Sequence, residues 1–199
     1  MLEFLAGMFG TRPVEITAVC LGILNITLLI RRSIWNYPFG ICMVTLYAFI
    51  FYEARLYSDM LLQGFFFALQ AYGWWYWLQG MPEDGHIRVR FLNLRQWTLS
   101  VVTAVIGVAA LGTVMMRYTD ADLPYWDATT TVLSMIAQLM LARRYLENWI
   151  LWIIVDVLAI GIYFVKGLYP TMVLYSIFLV MATGGLIAWY RAMKEAERA

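Results

Sequence analysis

A carboxylate stands in the middle of an apolar run. Asp156 is the eighth of the seventeen residues WILWIIVDVLAIGIYFV, 149–165. A charge at the centre of a bilayer costs several kcal/mol or stays protonated, so such a group should face a cavity or a partner. Trp152 precedes it by four residues, Trp149 by seven, and Tyr163 follows by seven. Those spacings place the aromatic rings along one helical face with the acid. Rings stack on flat molecules and attract positive charge, and the carboxylate would balance it. The chemistry is that of a site for a flat, cationic ligand; the competing reading is a protonated Asp156 bonded to the next helix. A second candidate face lies on run 58–78, where Gln63 and Gln70 are seven apart and Trp74 and Trp77 continue the stripe. An amide offers donor and acceptor together, as hydroxyls or a carboxamide require. The same glutamines could instead bond helix to helix.

Other polar residues sit where runs begin or turn. Asn36 and Tyr37 precede Pro38 at the start of the second run, and Asn148 and Trp149 open the sixth, places suited to a gate or hinge. Asn25 could touch ligand from the first run. Asp59, four residues after Arg55, reads as a locally paired charge, and Trp77 and Trp189 read as anchors at the membrane interface. The single histidine, His86, lies in a polar loop. Metal-binding, nucleophile and phosphate-loop motifs are missing, so the chain reads as neither an enzyme nor a cofactor protein. A membrane-embedded enzyme would need more than one deep carboxylate. A vitamin-binding subunit of a larger transporter would bind its ligand without carrying it alone.

These residues need helices in lipid to position them. Of 199 residues, 63% are hydrophobic and 14% charged, against about 25% charged in soluble domains. A net charge of +1 gives no sign of a nucleic-acid partner. Cys20 and Cys42 fall inside apolar runs and read as small hydrophobes. Backbone groups have no water partner in lipid, so each apolar run must be helical. Seven runs are long enough: 14–30, 37–54, 58–78, 97–116, 126–142, 149–165 and 170–190. Met1 to Gly10 lacks the basic region of a signal peptide and reads as a short interfacial helix.

Displaced by 112 residues, the chain matches itself without a gap: 15–77 against 127–189 gives 16 identities in 63 positions. The pairs include Arg31/Arg143, Arg32/Arg144, Asn36/Asn148, Tyr57/Tyr169, Gly73/Gly185 and Trp77/Trp189. Gln63 and Gln70 pair instead with Tyr175 and Ala182, so the halves have diverged there, as an asymmetric ligand would demand. The expected fold is an all-α membrane domain with three-helix units 14–78 and 126–190 and a linking helix 97–116. This 3+1+3 plan has parallel repeats about an axis along the membrane normal and a site at their interface. Ten Lys and Arg residues collect on one side and four on the other. The positive-inside rule then puts the C-terminus in the cytoplasm and the N-terminus outside.

Three stretches carry a family resemblance: WNYPFGI (35–41), LYSDMLLQ followed by YGWWYW (56–77), and WILWIIVD followed by KGLYPTMVLYSIF (149–178). Together they resemble the PnuC-type vitamin transporters, bacterial inner-membrane proteins similar to a full-length SWEET. The resemblance implies uptake of nicotinamide riboside by facilitated diffusion, a homo-oligomer, and a cytoplasmic kinase that traps the product. Nicotinamide riboside joins a cationic pyridinium ring, a carboxamide and a ribose. Asp156 and the rings would suit the first, and Gln63, Gln70 and Asn148 the others. Thiamine, also flat and cationic, and the larger, uncharged riboflavin are carried by relatives in the family. A proton-coupled carrier using Asp156 is the remaining mechanistic alternative.

Overall fold

A computed structural model describes residues 12–53, 55, 57–80, 88–196 and 198. The expected interfacial segment 1–10, His86 and the Asp59 side chain lie outside the described residues. Seven helices follow one another: α1 Pro13–Ile30, α2 Asn36–Glu53, α3 Tyr57–Gln79, α4 Leu94–Tyr118, α5 Pro124–Ala142, α6 Asn148–Val165 and α7 Tyr169–Ala196. Each expected run falls on one of them. The largest extensions are at α4, whose start is capped reciprocally by Asn93 and Gln96, and at the far end of α7. Cys20 and Cys42 are both exposed and unbridged.

By length and composition, α1, α4, α6 and α7 are apolar enough to cross a membrane. The other three are equally long, at 18, 23 and 19 residues, but polar groups interrupt them. Gln63 and Gln70 lie on α3, Gln138 on α5, and Asn36, Thr45 and three tyrosines on α2. Such residues lower the mean hydropathy of their helices, and several of them face the interior described below.

The packing closes a ring. α1 lies on α2, α2 on α3, α3 on α5, α5 on α6, α6 on α7, and α7 on α1. Helix α4 stands outside it and packs on α5 alone. Two glycines let it approach: a Cβ at Gly112 would sit 2.4 Å from the Tyr125 ring, and one at Gly107 3.0 Å from Val132.

Positions 112 residues apart adopt the same local geometry. Helices α1 and α5 both end on an arginine with a left-handed backbone, Arg32 at φ 57° and Arg144 at φ 65°. In both turns a later amide reaches back five residues, Ser33 to the Leu28 carbonyl and Tyr145 to the Met140 carbonyl, each at 2.9 Å. This bonding satisfies helix-end carbonyls, and it offsets a left-handed cost of about 1–2 kcal/mol for a residue with a Cβ. The asparagine that follows locks the turn: the Asn36 amide donates to the Ser33 carbonyl at 2.7 Å, and Asn148 to Tyr145 at 2.6 Å. A second pair of left-handed turns, at Arg55 (φ 59°) and Gly167 (φ 70°), keeps the same spacing with different residue types.

Trp77 and Trp189 correct an expectation. Both are 0% exposed and neither is an interface anchor. Trp77 donates from Nε1 to the Ala142 carbonyl at 3.2 Å, and Trp189 to the Leu29 carbonyl at 3.0 Å. Each therefore ties a helix of one half to the last turn of a helix in the other. Tyr37 meets Trp77 edge-on at 88° and 5.1 Å, and Trp149 meets Trp189 at 88° and 5.6 Å. Gly73 and Gly185 make room for them, since a Cβ there would lie 2.6 Å from Tyr37 or 2.5 Å from Trp149.

Candidate substrate cavity

A cavity of about 500 Å³ lies inside the helix ring. That volume falls within the usual range for small-molecule sites. Asp156, Trp149, Trp152 and Tyr163 reach it from α6, Gln63 and Gln70 from α3, and Tyr175 from α7. Seven of the eleven residues expected from sequence therefore meet around one space. Helical spacing explains the α6 contribution, because the ring-and-acid face points inward while Ile150, Ile154 and Val157 point out.

The remaining four lie elsewhere. Trp74 is 36% exposed and does not line the cavity; the α3 stripe continues inward through Gly73 and Trp77 instead. Asn36 and Asn148 are fully buried and clamp their turns. Tyr37 is buried behind the wall, against Trp77.

The polar groups are set for a ligand. Asp156 is buried, at 4% exposure, and no ion pair to it is recorded among the described residues. Gln70 Oε1 and Trp149 Nε1 are buried without a hydrogen-bond partner among those residues. Leaving such a group unpaired costs about 1–3 kcal/mol, so a ligand that bonds it gains that much. Gln70 reaches its place across Gly40 on α2: a Cβ there would sit 2.4 Å from Gln70 Nε2 and 2.7 Å from Asn25 Nδ2. Asn25 lines the cavity too, but its amide is committed to the Asn36 carbonyl at 2.6 Å. Tyr163 and Tyr175 stand together, ring centroids 5.2 Å apart.

Sequence reading overlooked Gln138 on α5 and Tyr47 on α2, which also line the cavity. Gln138 carried the signal used for Gln63 and Gln70, a polar residue inside an apolar run. Tyr47 carried none, because nothing in the sequence sets it apart from Tyr37 and Tyr52 on the same helix.

The wall is built from positions 112 residues apart. Leu29/Leu141 and Phe66/Phe178 are identical pairs. Ile26/Gln138, Val44/Asp156, Phe51/Tyr163, Gln63/Tyr175 and Gln70/Ala182 differ, and both members of each pair line the cavity. The space thus sits where the two halves meet. Its acid and most of its tyrosine hydroxyls come from one half, and two of its three glutamines from the other.

Four helices long and apolar enough to cross a membrane, and an internal chamber with unpaired polar groups, are the features of a multi-pass membrane protein with room for a small molecule. A family described as nicotinamide mononucleotide transporter matches residues 12–191, and the chain belongs to that family of membrane transporters. It is 32% identical to the nicotinamide riboside transporter PnuC of Escherichia coli, over 96% of this chain and 90% of that protein. It is 30% identical to the nicotinamide riboside transporter PnuC of Neisseria mucosa, over 89% and 72%. The riboflavin/roseoflavin transporter RibM of Streptomyces davaonensis is 25% identical, over 89% and 84%. A crystal structure of the vitamin B3 transporter PnuC aligns with a TM-score of 0.73 at 29% identity, covering 92% of this chain and 82% of that one.

Proposed function

We propose that this protein takes up nicotinamide riboside across the bacterial inner membrane by facilitated diffusion, holding it between two three-helix units in alternating access. The observation that carries the reading is the single cavity in which Asp156 meets Trp149, Trp152, Tyr163 and Tyr175. A buried carboxylate among aromatic faces stabilises a flat cation. Gln63, Gln70 and Gln138 supply the donors and acceptors that a carboxamide and a ribose need. Relatives named for nicotinamide riboside support the same substrate.

The units are α1–α3 and α5–α7, in a 3+1+3 plan of seven spans with α4 as the link. The ring packing and the matched turns support two parallel copies of one unit. The arginine-rich end faces the cytoplasm, with the N-terminus outside. The transporter works as a homo-oligomer, and a cytoplasmic kinase traps the carried nucleoside by phosphorylation.

Equilibrium binding to the purified protein, followed by tryptophan quenching, tests the substrate. Nicotinamide riboside should bind and riboflavin should not. Thiamine bound in its place would keep the site and change the vitamin, and binding of none of the three would remove the functional reading. Uptake into liposomes that responds to a pH gradient would make Asp156 a proton-coupling group and replace facilitated diffusion.

A further inference from the structure

One end of the cavity is sealed by a plug of buried side chains. Trp149, Leu29, Leu141 and Ala182 line it, and all four belong to the largest cluster of buried apolar side chains. Behind them four rings form a continuous chain across the molecule: Tyr37 on Trp77, Trp77 on Trp189 at 6.2 Å, and Trp189 on Trp149. They come from α2, α3, α7 and α6, so the chain spans both halves. Its two central rings hold the halves together, through the Trp77 bond to Ala142 and the Trp189 bond to Leu29.

The opposite end is built differently. Phe51, Tyr163 and Thr171 border it, and none of them is fully buried. The ion pairs near that end, Arg12–Glu53 at 2.6 Å and Lys166–Asp127 at 3.8 Å, each join two helices of the same half. They brace a unit without tying one unit to the other.

We infer that Trp77 and Trp189 are the paired latches of the cytoplasmic gate, and that Trp149 links gate to ligand by being both cavity wall and the last ring of the chain. This rests on the transport reading above. Opening inward requires both indole-to-carbonyl bonds to break, one at each seam between the halves. Trp149 Nε1 is buried and unpaired beside the ligand space. A ligand that engages it repositions the ring packed against Trp189, and so changes the stability of the latch. The near-identity of the two latches makes the seams open together.

The test reports access from each face. Cys20 and Cys42 are replaced by Ala, and Ala182→Cys places one thiol on the cavity wall beside the plug. A membrane-impermeant maleimide is applied to right-side-out and inside-out vesicles, with nicotinamide riboside binding measured on the same preparations. The reporter should label mainly from the outer face. Trp77→Phe with Trp189→Phe keeps a smaller aromatic ring at each place and removes both donors. It should raise labelling from the cytoplasmic face by about tenfold, the effect of two lost hydrogen bonds. If that pair does not fold, each single Phe variant should raise it by about threefold. Unchanged cytoplasmic labelling in variants that still bind the nucleoside overturns the latch and leaves the site standing. Unsubstituted protein that binds no nucleoside on the same preparations overturns the transport reading itself.

Discussion

The two halves of this molecule share a frame and divide the chemistry. At the turns and the tryptophan latches, residues 112 apart are the same or do the same thing: Arg32 and Arg144 turn left-handed, Asn36 and Asn148 lock the turn, and Trp77 and Trp189 reach a carbonyl across the seam. Along the cavity wall the same register holds different side chains, Val44 opposite Asp156 and Gln70 opposite Ala182. Backbone turns and close ring packing tolerate few residue types, so the residues there are alike. A ligand with unlike ends needs unlike walls, and the lining residues differ. Frame and site thus obey separate constraints on one scaffold.

The most unlike pair on the wall, Val44 and Asp156, is where a substitution should matter most. Asp156→Ala should reduce nicotinamide riboside affinity by roughly ten- to a hundredfold, from loss of about 1–3 kcal/mol of charge-assisted interaction, while the folded fraction in detergent holds. Normal binding in that variant would make the carboxylate structural. Next come the matched glycines. Gly73→Ala and Gly185→Ala both drive a Cβ into a ring and should each lower stability by about 1–3 kcal/mol, read as a drop in Tm. Only Gly185→Ala should also weaken ligand binding, because Trp149 lines the cavity and Tyr37 does not. Equal binding losses would show that the whole plug, rather than one half of it, reads the ligand. Gln70→Leu should cost close to tenfold in affinity, one buried hydrogen bond to ligand; calorimetry showing no change would assign Gln70 to helix packing. Trp74→Leu, on the exposed side of α3, should leave affinity within about twofold, and a larger loss would place that ring against ligand in another state of the transport cycle.

Much of this architecture follows from the sequence alone. Apolar runs in lipid have no alternative to helix, so the seven elements and their approximate bounds were legible from composition and length. The 112-residue register was legible too, because identical Arg-Arg, Asn, Gly and Trp landed in one frame. Asp156 with Trp149, Trp152 and Tyr163 needed only helical spacing to be grouped, since all four ride one helix.

Tertiary structure decided everything that depends on which faces meet. Trp74 and Trp77 look equivalent in sequence, yet one is exposed and the other fully buried, because α3 meets α2 and α5 on one side only. Trp189 had the look of a terminal anchor and proved to be a seam bond. Asn36 and Asn148 had the spacing of a gate and proved to hold turns, a role set by a carbonyl three residues back. Gln138 joined Gln63 and Gln70 only when α5 closed against α3. A chain fixes its own helical faces by periodicity, but the partner of each face depends on how helices distant in sequence pack, and that is a property of the assembled ring.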